Sequence, residues 1–97
     1  MELESELEFD WDEEKDFINQ MKHGVSFKEA AEVFYDPNHI EEYDHEHSLF
    51  EERWKAYGLS VCNVLVVFFT ERNRIIRIIS ARKADKKDQK EYYKWVW

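Results

Sequence analysis

Lys22 and His23 stand side by side in this sequence, and Arg53, Arg72, Arg77, Arg82 and Lys83 follow at wider spacing. An imidazole or amine can take and give protons near neutrality. A guanidinium keeps its charge and bonds two oxygens of one anion at once. Together they suit proton transfer beside a bound anion. Each also has a structural role to fill. Lys22 and His23 fall where the last turn of a helix welcomes cations. Arg53 can pair with Glu51 or Glu52, and Arg72 with Arg74 flanks a hairpin tip. Arg77 interrupts a strand otherwise made of isoleucine, so its charge needs a partner or a site. Arg82 ends that strand just before a capped helix, a place suited to a phosphate contact. Lys83 opens a mostly solvated basic stretch that runs to Lys94. His45 and His47 would point to one side of a strand and could hold a metal. No matching Cys or His pair follows them, so an exposed polar strand or loop is the expectation there. Neither a Gly-rich phosphate loop nor a hydrolytic triad is evident.

These side chains must be carried by a small set of elements. Phe9-Asp10-Trp11 suits a short first strand. Asp12 reads as the N-cap of a helix whose first turn is acidic and whose end is marked by Lys22, His23 and Gly24. Phe17, Ile18 and Met21 fall on one of its faces. Ser26-Phe27-Lys28-Glu29 has the form of a capping box for a second helix, with Phe27, Ala30, Ala31 and Phe34 inward, and Asp36-Pro37 ends it. His39–Glu52 reads as a short strand and a loop. Three strands follow at Arg53–Ser60, Asn63–Glu71 and Arg74–Arg82, joined so tightly that they should form an antiparallel meander. Asp85 caps a final helix that offers Tyr92, Tyr93 and Val96 for packing. The class is α+β: an antiparallel sheet of three to four strands plus the short N-terminal strand, two N-terminal helices and one C-terminal helix. On this reading Arg53 lies near the hairpin tip and Arg82 near Cys62–Asn63, about 26 Å apart at ~3.3 Å per residue.

The chain of 97 residues suffices for one domain. Its longest apolar run, Val64–Phe69, is far short of the ~20 residues that cross a bilayer, and its acidic opening is unlike a signal sequence. The one cysteine, Cys62, is read as a half-buried strand thiol. A cytoplasmic protein is expected. The net charge of −8 is unevenly spread. Residues 1–71 hold 5 Lys/Arg against 19 Asp/Glu, a net of −14, and residues 72–97 hold 9 against 3, a net of +6. Indiscriminate binding of polyanions is therefore disfavoured. Local phosphate binding by the basic third is not.

Several motifs occur here in a characteristic order: Phe9-Asp10-Trp11-Asp12, Lys22-His23-Gly24, Ser26-Phe27-x-x-Ala30-Ala31-x-Val33-Phe34 and Asp36-Pro37, then His47-Ser48, Glu52-Arg53-Trp54, Gly58-Leu59-Ser60, Thr70-Glu71-Arg72 and Arg77-Ile78-Ile79-Ser80-Ala81-Arg82-Lys83-Ala84. In that combination, over roughly residues 8–94, the sequence resembles the BrnT family of small ribonuclease toxins. The acidic stretch Met1–Glu8 and the apolar end Trp95-Val96-Trp97 depart from the family pattern. The resemblance implies a single toxin domain over residues 1–97 with a RelE-like fold. It also implies RNA cleavage that inhibits translation, and neutralisation by a BrnA-type antitoxin through which alone DNA would be met. RNA needs no metal or other cofactor for cleavage, because its 2′-OH is an internal nucleophile. Lys22, His23, Arg53 and Arg82 are then the expected catalytic groups, with Arg72, Arg77 and Lys83 on the RNA. The alternative is a BrnT-like scaffold that has lost catalysis and only pairs with its antitoxin.

Overall fold

In the computed structural model, which describes residues 6–94, the chain begins with strand β1 (Glu8–Asp10) and helices α1 (Glu13–His23) and α2 (Phe27–Ala31). A 3-10 turn (Glu32–Tyr35) extends α2. Strand β2 (Ile40–Tyr43), a second 3-10 turn (His45–His47), strands β3 (Trp54–Leu59), β4 (Val64–Arg72) and β5 (Ile75–Lys83), and helix α3 (Lys86–Tyr93) complete it. The expected caps are in place at three helix ends. Asp12 accepts from the amides of Glu14 and Lys15, Gly24 is left-handed at φ 70°, and Asp85 and Asp88 cap α3 reciprocally. At Ser26 only half of the box forms: Ser26 accepts from the Glu29 amide, while the Glu29 carboxylate accepts from Ser60 Oγ at 2.8 Å.

The sheet order is β1-β5-β4-β3-β2. β2 through β5 form the expected antiparallel set, but β1 pairs with β5 in parallel, Phe9 opposite Ile76. The sheet is therefore mixed. The run from α1 to β4 lies between β1 and β5 and supplies the long connection that a parallel neighbour requires. Alternation along β4 divides the interior. Leu65, Val67 and Phe69 pack with Val25, Phe27, Ala30, Val33 and Phe34 on one face. Val64, Val66 and Phe68 point to the other face, where Tyr57 and Tyr92 close the half beneath α3. Among the described residues no helix covers the half of that second face around Phe68.

Two helical expectations change. Phe17, Ile18 and Met21 are exposed, and the buried residue of α1 is Asn19. Its amide donates to the carbonyls of Val25 and Ala81, both at 2.8 Å, and accepts from the Ala81 amide at 3.1 Å. α1 is thus fastened to the outer margin of β5 by hydrogen bonds where an apolar stripe was expected. Tyr92 is buried as expected, Tyr93 is exposed, and Val96 lies outside the described residues. Cys62 is exposed in the β3–β4 turn, which leaves it outside the strands.

Candidate ribonuclease site

The arginines of β5 are five residues apart, a spacing that in a regular strand puts them on opposite faces. The ladder between β4 and β5 slips by one residue between Phe68 and Phe69. Below the slip Arg77 faces Thr70; above it Arg82 faces Val66. Thr70 and Val66 share a face, so the bulge brings both arginines to the open side of the sheet. Arg72 belongs to the same parity. Lys83, exposed and opposite Leu65, falls on the other face.

Arg53 comes to this side from the β2–β3 connection. Its carbonyl accepts from the Asp44 amide at 2.8 Å, and its amide donates to Ser48 Oγ at 2.9 Å. Ser48 Oγ donates in turn to the Asp44 carbonyl at 2.6 Å. These three bonds close the loop into a rigid clasp. Inside it, His47 Nδ1 lies 2.8 Å from Oδ2 of Asp44, which is 3% exposed. A buried carboxylate so placed fixes the ring's orientation and favours the Nδ1–H tautomer, leaving Nε2 as a proton acceptor. His45 and His47 were expected on one strand face. Here they belong to a 3-10 turn, and the His45 ring packs edge-on against Tyr43.

Asp44, His47, Arg53, Phe68, Ile79 and Ser80 line a hollow of about 200 Å³. The His47 ring meets Phe68 edge-on at 6.2 Å, and the Arg82 guanidinium lies over the same ring at 5.8 Å. His47 and Arg82 are therefore within 12.0 Å of each other. Trp54 pairs with Phe69, which puts Arg53 level with Thr70, and Arg82 pairs with Val66, four residues along β4, so Arg53 and Arg82 are separated by about 13 Å along the strand. The expected 26 Å is too long. The register of the β4–β5 hairpin, with Arg72 opposite Ile75, and the bulge both shift Arg82 toward the site.

Arg53, Arg72, Arg77 and Arg82 each have a carboxylate neighbour. Arg53 is 4.0 Å from Glu51, Arg72 2.7 Å from the same residue, and Arg77 2.7 Å from Asp10. Arg82 donates to Asp88 on α3. Burial opposes ionisation of Asp88, but hydrogen bonds from Arg82 and the Asp85 amide outweigh it and hold the carboxyl below its ordinary range. Lys22 and His23 stand exposed at the end of α1 and make no hydrogen bond or ion pair among the described residues. Sequence reasoning singled out Arg53 and Arg82 but assigned no role to Asp44, Ser48 or Phe68. The His47-Ser48 motif was the available signal. For a metal, the atoms of Asp44, Glu46 and His47 lie within 4.8 Å of one another, although the Asp44–His47 bond already engages two of the three.

Residues 11–88 match the family model described as the ribonuclease toxin, BrnT, of type II toxin-antitoxin systems. The chain belongs to the BrnT family. As a BrnT protein it is a ribonuclease toxin by family, with an antitoxin as its partner. No individually curated protein matches it. Among the described residues no helix is long and apolar enough to cross a membrane.

Proposed function

We propose that this protein is a metal-independent endoribonuclease acting at the Phe68 face of its sheet, and that its cleavage of RNA inhibits translation until a BrnA-type antitoxin covers the site. The observation that carries this reading is the meeting of a carboxylate-held His47 with Arg53 in one hollow, with Arg82 over the Phe68 ring that lines it. His47 Nε2 takes the proton of a 2′-hydroxyl, whose oxygen attacks the adjacent phosphorus. The O2′–P bond forms, the P–O5′ bond breaks, and the departing O5′ takes a proton from solvent. Arg53 and Arg82 neutralise the charge that grows on the phosphate oxygens. Arg72 and Arg77, on the same face, hold flanking phosphates once RNA competes with Glu51 and Asp10. Lys22, His23 and Lys83 stay outside the reacting centre.

Purified protein should cleave RNA, free or on intact ribosomes, in the presence of chelator. His47→Ala should lose about 10²- to 10⁴-fold in rate, and Arg53→Ala about 10²- to 10³-fold. The Lys22→Ala/His23→Ala double variant should stay close to wild type. Loss of activity only in the double variant would move the site to α1; loss with chelator would restore the metal reading. A second reading, a BrnT scaffold that only binds its antitoxin, draws on the carboxylate beside each of Arg53, Arg72, Arg77 and Arg82. Harmless expression of the folded protein without its partner would favour it, and growth arrest would remove it.

A further inference from the structure

The loop closed by Asp44, Ser48 and Arg53 carries two apolar side chains outward at its tip. Leu49 is 83% exposed and Phe50 99%. A turn between two strands is served as well by polar residues, and an exposed phenyl ring forgoes the stabilisation that burial would bring. Nothing in the packing of the described residues accounts for Phe50. Its surroundings do. Phe50 and Leu49 share a second hollow, of about 220 Å³, with His47, Arg53, Glu46 and Glu51. His47 and Arg53 also line the hollow of the proposed reacting centre. A strand threaded past them meets the hollow that Phe50 lines, on the loop closed by the clasp.

We infer that Phe50 is a stacking platform for one unpaired nucleobase of the RNA, next to the nucleotide being cleaved. This rests on the ribonuclease reading above. The walls favour a base over a phosphate. Glu51 is engaged by Arg72 at 2.7 Å, whereas Glu46 has no ion pair among the described residues. Two carboxylates repel a phosphate but accept hydrogen bonds from the amino and imino edges of bases. A duplex keeps those edges paired and its ring faces stacked, so the platform selects single-stranded RNA.

The test uses a fluorescently labelled single strand of about ten nucleotides bearing 2′-fluoro in place of 2′-hydroxyl, which binds but cannot be cleaved. Stacking of one base is worth roughly 1–3 kcal/mol, so Phe50→Ala should weaken binding about 5- to 150-fold, while Phe50→Trp retains it. Scanning one abasic position along the strand should find a site that weakens wild type as much as Phe50→Ala and has no further effect on that variant. Binding by Phe50→Ala within about twofold of wild type overturns the inference, as does a loss that no single abasic position reproduces. Failure of wild type to bind or cleave any RNA would instead bring down the ribonuclease reading beneath it.

Discussion

Asp44 and His47 form the unit whose parts can be separated most cleanly. Asp44→Asn keeps the size of the side chain but replaces the carboxylate that orients the His47 ring. The turnover rate should fall about 10- to 100-fold with RNA affinity nearly unchanged, as measured by single-turnover cleavage alongside anisotropy binding. A matching loss of affinity would mean that the carboxylate shapes the loop and not the proton transfer. The cations of the site were legible from composition, because guanidinium groups in or beside apolar strands call for a reason. His47 was not legible as a proton acceptor. Its usefulness depends on a hydrogen bond to a residue three positions back, made in a 3-10 turn that the polar run 43–47 does not announce. Lys22 and His23 drew notice as proton-transfer types in the Lys22-His23-Gly24 motif, and the helix that carries them is fastened at the margin of β5.

At the scale of the element, the strands were readable from their apolar runs, and the helix ends from Asp12, Gly24 and Asp85. The bulge was not, since the run Ile75–Ile79 gives no sign of where the extra residue sits, yet it decides which face Arg82 takes. The stripe Phe17, Ile18 and Met21 followed the period of a helix but missed its anchor, because one buried amide outweighed three apolar side chains in placing α1. The β4–β5 turn yields a quantitative expectation. Asn73 and Arg74 adopt φ 52° and 69°, the two left-handed positions of a type I′ turn. Asparagine tolerates this; arginine is strained by roughly 1–2 kcal/mol. Arg74→Gly should therefore raise stability by up to about 1 kcal/mol despite glycine's larger unfolded-state entropy, seen as a higher urea midpoint with unchanged slope.

Over the whole molecule, Asp36 joins parts far apart in the chain. Its carboxylate accepts from Tyr92 Oη at 2.6 Å, the Leu59 amide at 2.8 Å and the Asn38 amide at 2.9 Å. Burial opposes the charge, but these bonds together hold the Asp36 pKa below its ordinary value. That stabilisation is present above about pH 3.8 and disappears as acid carries the protein through the lowered folded value. His39 behaves oppositely: its bond to Glu41, at 2.9 Å, leads the causes that raise its pKa. Its contribution is full below the ordinary value of about 6.5 and is lost as pH rises through the raised one. Urea titrations of wild type and Glu41→Gln should differ most near pH 6 and converge in mild alkali; a gap that widens with pH would refute the assignment. Asn19 has a consequence for assembly. Sheets grow when a foreign strand finds a bare row of amides and carbonyls. Beyond Arg77 the margin of β5 presents a side-chain amide already seated on Ala81, which an incoming strand would have to evict. The opposite margin, β2, carries Glu41 and Glu42, and β1 is bounded by Glu8 and Asp10. Fibril-like stacking of copies is thus discouraged by an occupied register on one side and by like charge on the other.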